Sequence, residues 1–99
     1  MMKTDGYPLR GADSASCIID NQTLIIQAKQ KKLFVLNAAG TRIWELADGR
    51  HGIEDIILEI MSHSKKPESQ IRQEIEEFIE ELVERQVLVV LSRPDNAAA

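Results

Sequence analysis

The sequence predicts an α+β fold in which a three-stranded antiparallel sheet is followed by three helices, in the order βββααα. Short apolar runs separated by polar turns fill residues 17–36, which is typical of a meander of strands. Apolar residues then recur at helical spacing in residues 38–47, 53–61 and 68–85. A chain of 99 residues can bury only one small core, so we expect a single domain.

The strands are defined by the polar residues that interrupt the apolar runs. Cys17–Ile19 and Leu24–Ile26 flank the segment from Asp20 to Thr23, where aspartate and asparagine favour a tight turn, so these two runs predict a hairpin. A lysine-rich turn then leads to the third strand, Leu33–Leu36. Because this strand is apolar at every position, the sequence indicates burial on more than one side.

Each helix is marked by a boundary residue and an apolar stripe. Asn37 is a favourable N-cap for the first helix, and Gly49 suits its C-terminal stop because glycine adopts left-handed backbone without a steric penalty. Apolar residues from Ile53 to Met61 form the stripe of the second helix. Pro67 fits the first turn of the third helix, where its missing N–H is no loss. The stripe of the third helix comprises Ile71, Ile75, Phe78 and Leu82. Ile79 and Val83 widen it on one flank.

The chain divides into a domain and two terminal segments. Residues 1–14 contain two glycines and a proline and show no sustained period, so we expect a flexible N-terminal arm that is mobile or lies over the domain. Residues 15–91 form the folded domain, in which the β-branched run Val87–Leu91 is a final short strand or a packed extension. Residues 92–99 are expected to be a disordered tail.

Residues 36–49 carry the spacing LN-x-x-G-x-x-I-W-x-L-x-DG, followed by I-x-x-I and by F-x-x-x-L at Phe78 and Leu82. This pattern resembles the signature of the PqqD family, and the resemblance spans roughly residues 16–91. The resemblance implies a peptide-binding recognition element for ribosomally synthesised and modified peptides. Such proteins bind the leader segment of a precursor peptide and present it to a modifying enzyme, frequently a radical-SAM enzyme.

The third strand lies at an edge of the predicted sheet, and this position suggests how a leader peptide binds. An edge strand has unpaired N–H and C=O groups that can accept a further strand. We therefore expect the peptide to add beside the third strand, in a groove whose other wall is the third helix. The candidate peptide-binding residues are Lys32, Leu33, Phe34, Val35 and Leu36 on the strand, and Glu76, Ile79, Glu80 and Val83 on the helix.

Composition limits the partners and the compartment. A net charge of −4 gives no reason to expect a nucleic acid or an anionic membrane. The single Cys17 cannot form an internal disulfide, and we find neither a secretion signal nor a long apolar span, so the sequence predicts a cytoplasmic protein. His51 and His63 have no partner at ligand spacing, so we expect no metal and no cofactor.

Three functions other than peptide binding remain to be compared with the sequence. Three helices after a sheet resemble a winged helix–turn–helix, so a DNA-binding module is one alternative. A different protein-interaction module is another. Affinity for DNA comes largely from lysine and arginine, however, and the third helix carries six glutamates from Glu74 to Glu84. A small enzyme is disfavoured because the sequence shows no nucleophile–base pair, phosphate loop or metal cluster.

The first two strands also predict an uncovered surface. Their apolar residues occupy both alternating positions, so apolar side chains must lie on both faces of the sheet. Three helices can cover only one face. We therefore expect the other face to be covered by the N-terminal arm or by a second copy of the chain in a homodimer, and we expect Trp44 to lie in the core.

Overall fold

The computed structural model describes residues 6–94 and confirms the predicted α+β fold. Within these residues the elements are β1 (Tyr7–Arg10), β2 (Ser14–Ile19), β3 (Gln22–Gln27), β4 (Lys32–Leu36), α1 (Ala38–Leu46), α2 (Ile53–Met61), α3 (Glu68–Glu84) and β5 (Leu88–Leu91). Strands β2, β3 and β4 form the expected antiparallel sheet in sequence order. None of the helices in the described part of the chain is long and apolar enough to cross a bilayer.

The core lies between the inner face of this sheet and the three helices. Ile25 of β3 is fully buried, and Trp44 of α1 is only 3% exposed, which confirms its predicted place in the core. The Trp44 Nε1–H donates to Ser16 Oγ at 3.0 Å. The hydroxyls of Thr23 and Thr41 pair at 2.7 Å, whereas the buried Oε1 of Gln27 has no hydrogen-bond partner among the described residues. The helices add a further set of buried residues, namely Ile43, Ile53, Ile56, Ile57, Ile71, Ile75, Ile79 and Leu82.

Of the two outcomes expected for residues 1–14, the described residues 6–14 have the extended arm that lies over the domain, although its pairing into a sheet was not predicted. Tyr7–Arg10 form β1, which pairs antiparallel with β5 in a separate two-stranded sheet. The backbone N–H of Arg10 donates to Ala47 O at 3.1 Å, and that of Gly49 donates to Pro8 O at 2.8 Å. A strand of four residues is too short to show a period, and its partner lies about eighty residues away, so local pattern could not reveal it. Residues 1–5 lie outside the described residues.

The C-terminal segment contains the final strand that was one of two predicted outcomes for Val87–Leu91. Arg93 is exposed, and residues 95–99 lie outside the described part of the chain, so the expectation of a disordered tail there stays a prediction.

The prediction that β4 is buried on more than one side is wrong. Leu33 and Val35 are 60% and 61% exposed, whereas Leu36 is buried and Phe34 is half-buried. The cause is that β4 is an edge strand and that the helices cover only one face of the sheet. The opposite face, here called the outer face, is formed by the paired positions Ala15, Cys17, Ile19, Leu24, Ile26, Leu33 and Val35, with the uncharged Gln22 beside Ile19.

Candidate functional site

The pairing of β2 with β3 determines which backbone groups of β4 remain free. Asp20 and Asn21 join these strands with φ angles of 51° and 63°, as in the type I′ turns of tight hairpins. Ile19 and Gln22 flank the turn and form a hydrogen-bonded pair, and bonded and non-bonded pairs alternate along an antiparallel ladder. Every second residue of β3 is therefore bonded to β2, namely Gln22, Leu24 and Ile26.

The other residues of β3 bond to β4, which fixes the orientation of each β4 residue. Lys32, Phe34 and Leu36 stand opposite these residues and take the bonded positions. Since both backbone polar groups of a residue in an antiparallel strand point to the same side, those of Leu33 and Val35 point away from β3. Among residues 6–94, no turn, loop or cap hydrogen bond engages Leu33 or Val35 either. The edge of β4 therefore offers two residues for pairing with another strand.

Helix α3 lies beside this open edge. The guanidinium carbon of Arg85 is 5.9 Å from the centroid of the Phe34 ring. The Gln27 side chain donates from Nε2 to Gln86 O at 3.0 Å, which ties the end of β3 to the end of α3. These contacts hold the C-terminal half of α3 next to β4, and the surface between the two is here called the groove.

Glycine is required where α3 meets the start of α1. A Cβ atom built on Gly40 would lie 3.1 Å from both Leu36 Cβ and Phe78 Cζ, closer than most real contacts of that kind. The absence of a side chain at Gly40 lets the Phe78 ring approach the junction of β4 and α1. Phe78 and Arg85 therefore define the flank of α3 that faces β4.

The structure does not bring the predicted residues of α3 to this groove. Ile79 is fully buried, so it cannot line a surface groove. Val83 and Glu76 share a flank with Arg72, at helical spacings of i, i+4 and i+11, and Arg72 is ion-paired with Glu54 of α2. That flank faces α2. Glu80 is also predicted as a peptide contact, but it is exposed on the side of α3 away from Phe78.

Residues spaced at i, i+4, i+7 and i+11 form the flank that faces β4, and they are Glu74, Phe78, Glu81 and Arg85. The helical period predicted both flanks of α3, but it could not show which one faces the sheet. The one signal for the correct flank was the family spacing that includes Phe78. We call this set of four residues the β4 flank of α3.

A cavity of about 1010 Å³ lies beyond the end of β4, between the start of α1 and the N-terminal half of α3. Its lining includes the apolar side chains of Ile43, Ile75 and Phe78, and its rim includes Asn37 and Glu74. Asn37 immediately follows β4, so the cavity continues the groove. The groove thus combines a free strand edge with a cavity that is apolar on one side and polar on the other.

Charged residues surround the groove, and most have a partner. Lys66 Nζ lies 3.3 Å from Glu74 Oε1, and Gln70 Nε2 donates to Glu74 Oε2 at 3.1 Å. The hydrogen bonds from Gln70 and Lys66 hold the pKa of Glu74 below its ordinary value, so this carboxylate is charged near neutral pH. Glu81 and Arg85 lie 3.7 Å apart. The helical wall therefore carries both signs of charge.

His63 lines the cavity between α1 and α3, whereas His51 lies elsewhere. His51 Nδ1 is 3.0 Å from Asp48 Oδ1, and His63 Nε2 is 3.0 Å from Glu59 Oε2. Within residues 6–94, no group of three or more histidine, cysteine, aspartate and glutamate side chains is arranged to hold a metal ion.

Comparison with known proteins identifies the family. The family model described as coenzyme PQQ synthesis protein D (PqqD) matches residues 22–88, which are 67 of the 99 residues. The chain belongs to the PqqD family. The match extends from β3 into β5, so it includes both walls of the groove, and it confirms the resemblance found in residues 36–49.

The fold is also that of a solved structure. TbiB1 in complex with the TbiA(beta) leader peptide superposes with a TM-score of 0.76 and 21% sequence identity, over 81% of this chain and 93% of that chain. At this identity the likeness establishes the fold. No curated protein sequence matches the chain significantly.

Proposed function

We propose that this protein captures the leader segment of a precursor peptide by strand addition at β4 and presents it to a modifying enzyme. The observation that carries the proposal is the open edge at Leu33 and Val35, beside a groove walled by α3. Membership of the PqqD family supports it. So does TbiB1, which has the same fold and is in complex with a leader peptide.

The open edge sets the energetic scale of the interaction. Leu33 and Val35 together offer two N–H donors and two C=O acceptors, and each backbone hydrogen bond contributes a net ~0.5–1.5 kcal/mol. These bonds are independent of the peptide sequence. Specificity must therefore come from alternate side chains of the peptide, which point into the groove towards Phe34 and Phe78.

The peptide-binding residues in this proposal combine the predicted strand with the corrected flank of the helix. Leu33 and Val35 act through their backbone, Phe34 acts through its ring, and Lys32 and Leu36 limit the paired segment. The β4 flank of α3 replaces the helical residues predicted from the sequence. A peptide that continues past Leu36 reaches the cavity between α1 and α3, where an apolar side chain of the peptide fits.

The proposed role is binding rather than catalysis, because the groove offers backbone bonds, apolar contacts and paired charges. The recipient would be an enzyme that modifies the precursor, such as a radical-SAM enzyme. We place the complex in the cytoplasm, where an exposed thiol such as Cys17 stays reduced. DNA binding receives no support from the structure, since Arg72 and Arg85 of α3 are paired with glutamates.

Amide hydrogen exchange tests the proposal residue by residue. Candidate leader peptides are those of short precursors encoded beside the gene. In the free protein the amides of Leu33 and Val35 should exchange rapidly, whereas the amide of Phe34 is already protected by β3. A bound leader should slow exchange at Leu33 and Val35 and leave Phe34 unchanged.

The β2 edge supplies the internal control. By the same alternation, Ser16 and Ile18 direct their backbone groups to that edge, so their amides should be unaffected by the leader. A leader that binds and protects Ser16 and Ile18 instead would show that the added strand joins β2. A leader that protects neither edge would refute strand addition.

A further inference from the structure

The outer face of the three-stranded sheet is an apolar surface that the described residues leave uncovered. Ile19, Ile26, Leu33 and Val35 are each about half exposed or more. Residues 6–14 cannot cover this face, because β1 is held between β5 and the turn that follows α1. Contiguous exposed apolar surfaces of this kind mark interaction sites in soluble proteins.

We propose that a second copy of this chain covers the outer face, so that two three-stranded sheets pack face to face in a homodimer. The face carries no charged side chain, although 28% of the chain is charged. A two-fold axis brings the same surface of both copies together, and a neutral apolar surface is self-complementary under that operation. The proposal is independent of peptide binding and is tested without a peptide.

The charges at the two ends of the sheet favour one orientation of the copies. The turn between β2 and β3 carries Asp20, whereas the loop between β3 and β4 carries Lys29 and Lys31. A two-fold axis that crosses the strands within the interface places the Asp20 end of one copy against the lysine end of the other. The opposite charges then steer the two copies into antiparallel alignment.

The size of the outer face predicts a weak dimer. Strands of six residues rise about 3.3 Å per residue and lie about 4.8 Å apart, so three strands present an outline of roughly 20 by 14 Å. A standard interface buries about 800 Å² per partner, which is more than this outline offers. Association should therefore depend on concentration.

The dimer leaves the peptide edge free. Side chains in a strand project perpendicular to the sheet, whereas the backbone hydrogen bonds lie within its plane. Leu33 and Val35 therefore contribute side chains to the outer face and backbone groups to the β4 edge without conflict. Both interactions can occur on the same molecule.

Sedimentation equilibrium of the full chain tests the dimer. From about 10 μM to about 1 mM, the range expected for a small interface, the average mass should rise from the 11.1 kDa of the monomer towards twice that value. Ile26→Glu places a carboxylate on the central strand of the face and should weaken association at least about tenfold. Leu58→Glu is the matched control, because Leu58 is 61% exposed on α2, away from the sheet, and it should associate as the wild type does.

A mixing experiment tests the two-fold symmetry. Leu24 lies near the middle of the central strand and on the outer face, so under the antiparallel alignment it comes nearest its own copy across the axis. Leu24→Glu and Leu24→Lys should each be monomeric, and their equimolar mixture should recover association through unlike charges. Thermal melts verify folding, and Ile26→Thr, which keeps a β-branched side chain, replaces Ile26→Glu if that variant melts early. Wild-type protein that stays monomeric throughout, or an Ile26 variant that associates as well as Leu58→Glu, would overturn the proposal.

Discussion

Proline substitution at two adjacent positions of β4 gives the sharpest test of the edge assignment. Phe34 is bonded to Ile25 of β3, whereas Val35 points its N–H to the open edge. Proline has no N–H, so Phe34→Pro removes a bond within the sheet and leaves the buried carbonyl of Ile25 without a donor. Val35→Pro removes only a donor that faces outward, where proline is tolerated.

The expected stability changes differ several-fold. An unpaired buried carbonyl costs about 1–3 kcal/mol, and loss of the half-buried Phe34 ring adds about 1–3 kcal/mol. At about 4–8 °C per kcal/mol for a domain of this size, Phe34→Pro should lower the melting temperature by at least about 10 °C. Val35→Pro should cost less than about 1 kcal/mol, since no bond within the sheet is lost.

Alanine at each position separates the backbone from the side chain. The difference in unfolding free energy between Phe34→Pro and Phe34→Ala should be about 1–3 kcal/mol, whereas that between Val35→Pro and Val35→Ala should be close to zero. Calorimetric titration with the leader should show at least about tenfold weaker binding to Val35→Pro, because its ring occupies the edge. Equal destabilisation by the two prolines would refute the alternation derived for β4. Wild-type affinity of a folded Val35→Pro variant would refute strand addition there.

Three further predictions concern the core, the wall of the groove and acid stability. Trp44→Ala should cost about 3–5 kcal/mol in a thermal or denaturant melt, since the indole is buried, and an unchanged melt would contradict its place in the core. Arg85→Ala should weaken leader binding in calorimetry while Val83→Ala does not, because only Arg85 lies on the flank facing β4. If Val83→Ala weakened binding and Arg85→Ala did not, the helical contacts predicted from the sequence would be the right ones. Hydrogen bonds from Arg42 and, to a smaller extent, from His63 lower the pKa of Glu59 below 4.5. The stabilisation that the charged Glu59 carboxylate provides is therefore fully present above pH 4.5 and is lost as the pH falls through the lowered pKa. Glu59→Gln should therefore flatten the dependence of melting temperature on pH in that acidic range, and a variant with the same acid sensitivity as the wild type would count against this ion pair.

Local chemistry made most of the fold predictable. Asn37 caps α1 as expected, since its Oδ1 accepts from the Gly40 N–H at 2.9 Å. The apolar stripe predicted for the second helix runs from Ile53 to Met61, and α2 begins and ends at the same two residues. Gly49 has the expected positive φ, 79°, although α1 ends at Leu46 and the glycine serves the turn beyond it. Signals that span only a few residues therefore predicted this cap, this helix and this glycine turn correctly.

The sequence could not show how elements that are distant along the chain pair and pack. The pairing of β1 with β5 depends on contacts between the two ends of the chain; β1 has no distinctive pattern, and the β-branched run of β5 does not show its partner. The helical period of α3 located its apolar stripe but not the flank that meets β4. The prediction therefore named Ile79 and Val83 as peptide contacts and did not name Phe78 and Arg85. The orientation of the β4 backbone likewise depends on the pairing register, which the strand's own residues do not determine.

Insertions and substitutions in the loop between β3 and β4 should have different effects on the open edge of β4. Its four residues, 28–31, end at Lys31 with φ of 54° and bring Lys32 opposite Gln27. One residue more or less would slip the register by one, turn the Phe34 backbone outward and move its ring to the opposite face. Substitutions within the loop that tolerate the left-handed residue leave the edge intact, whereas an insertion of one codon removes it. Among descendants of this gene, the length of the loop should therefore be preserved more strictly than its composition.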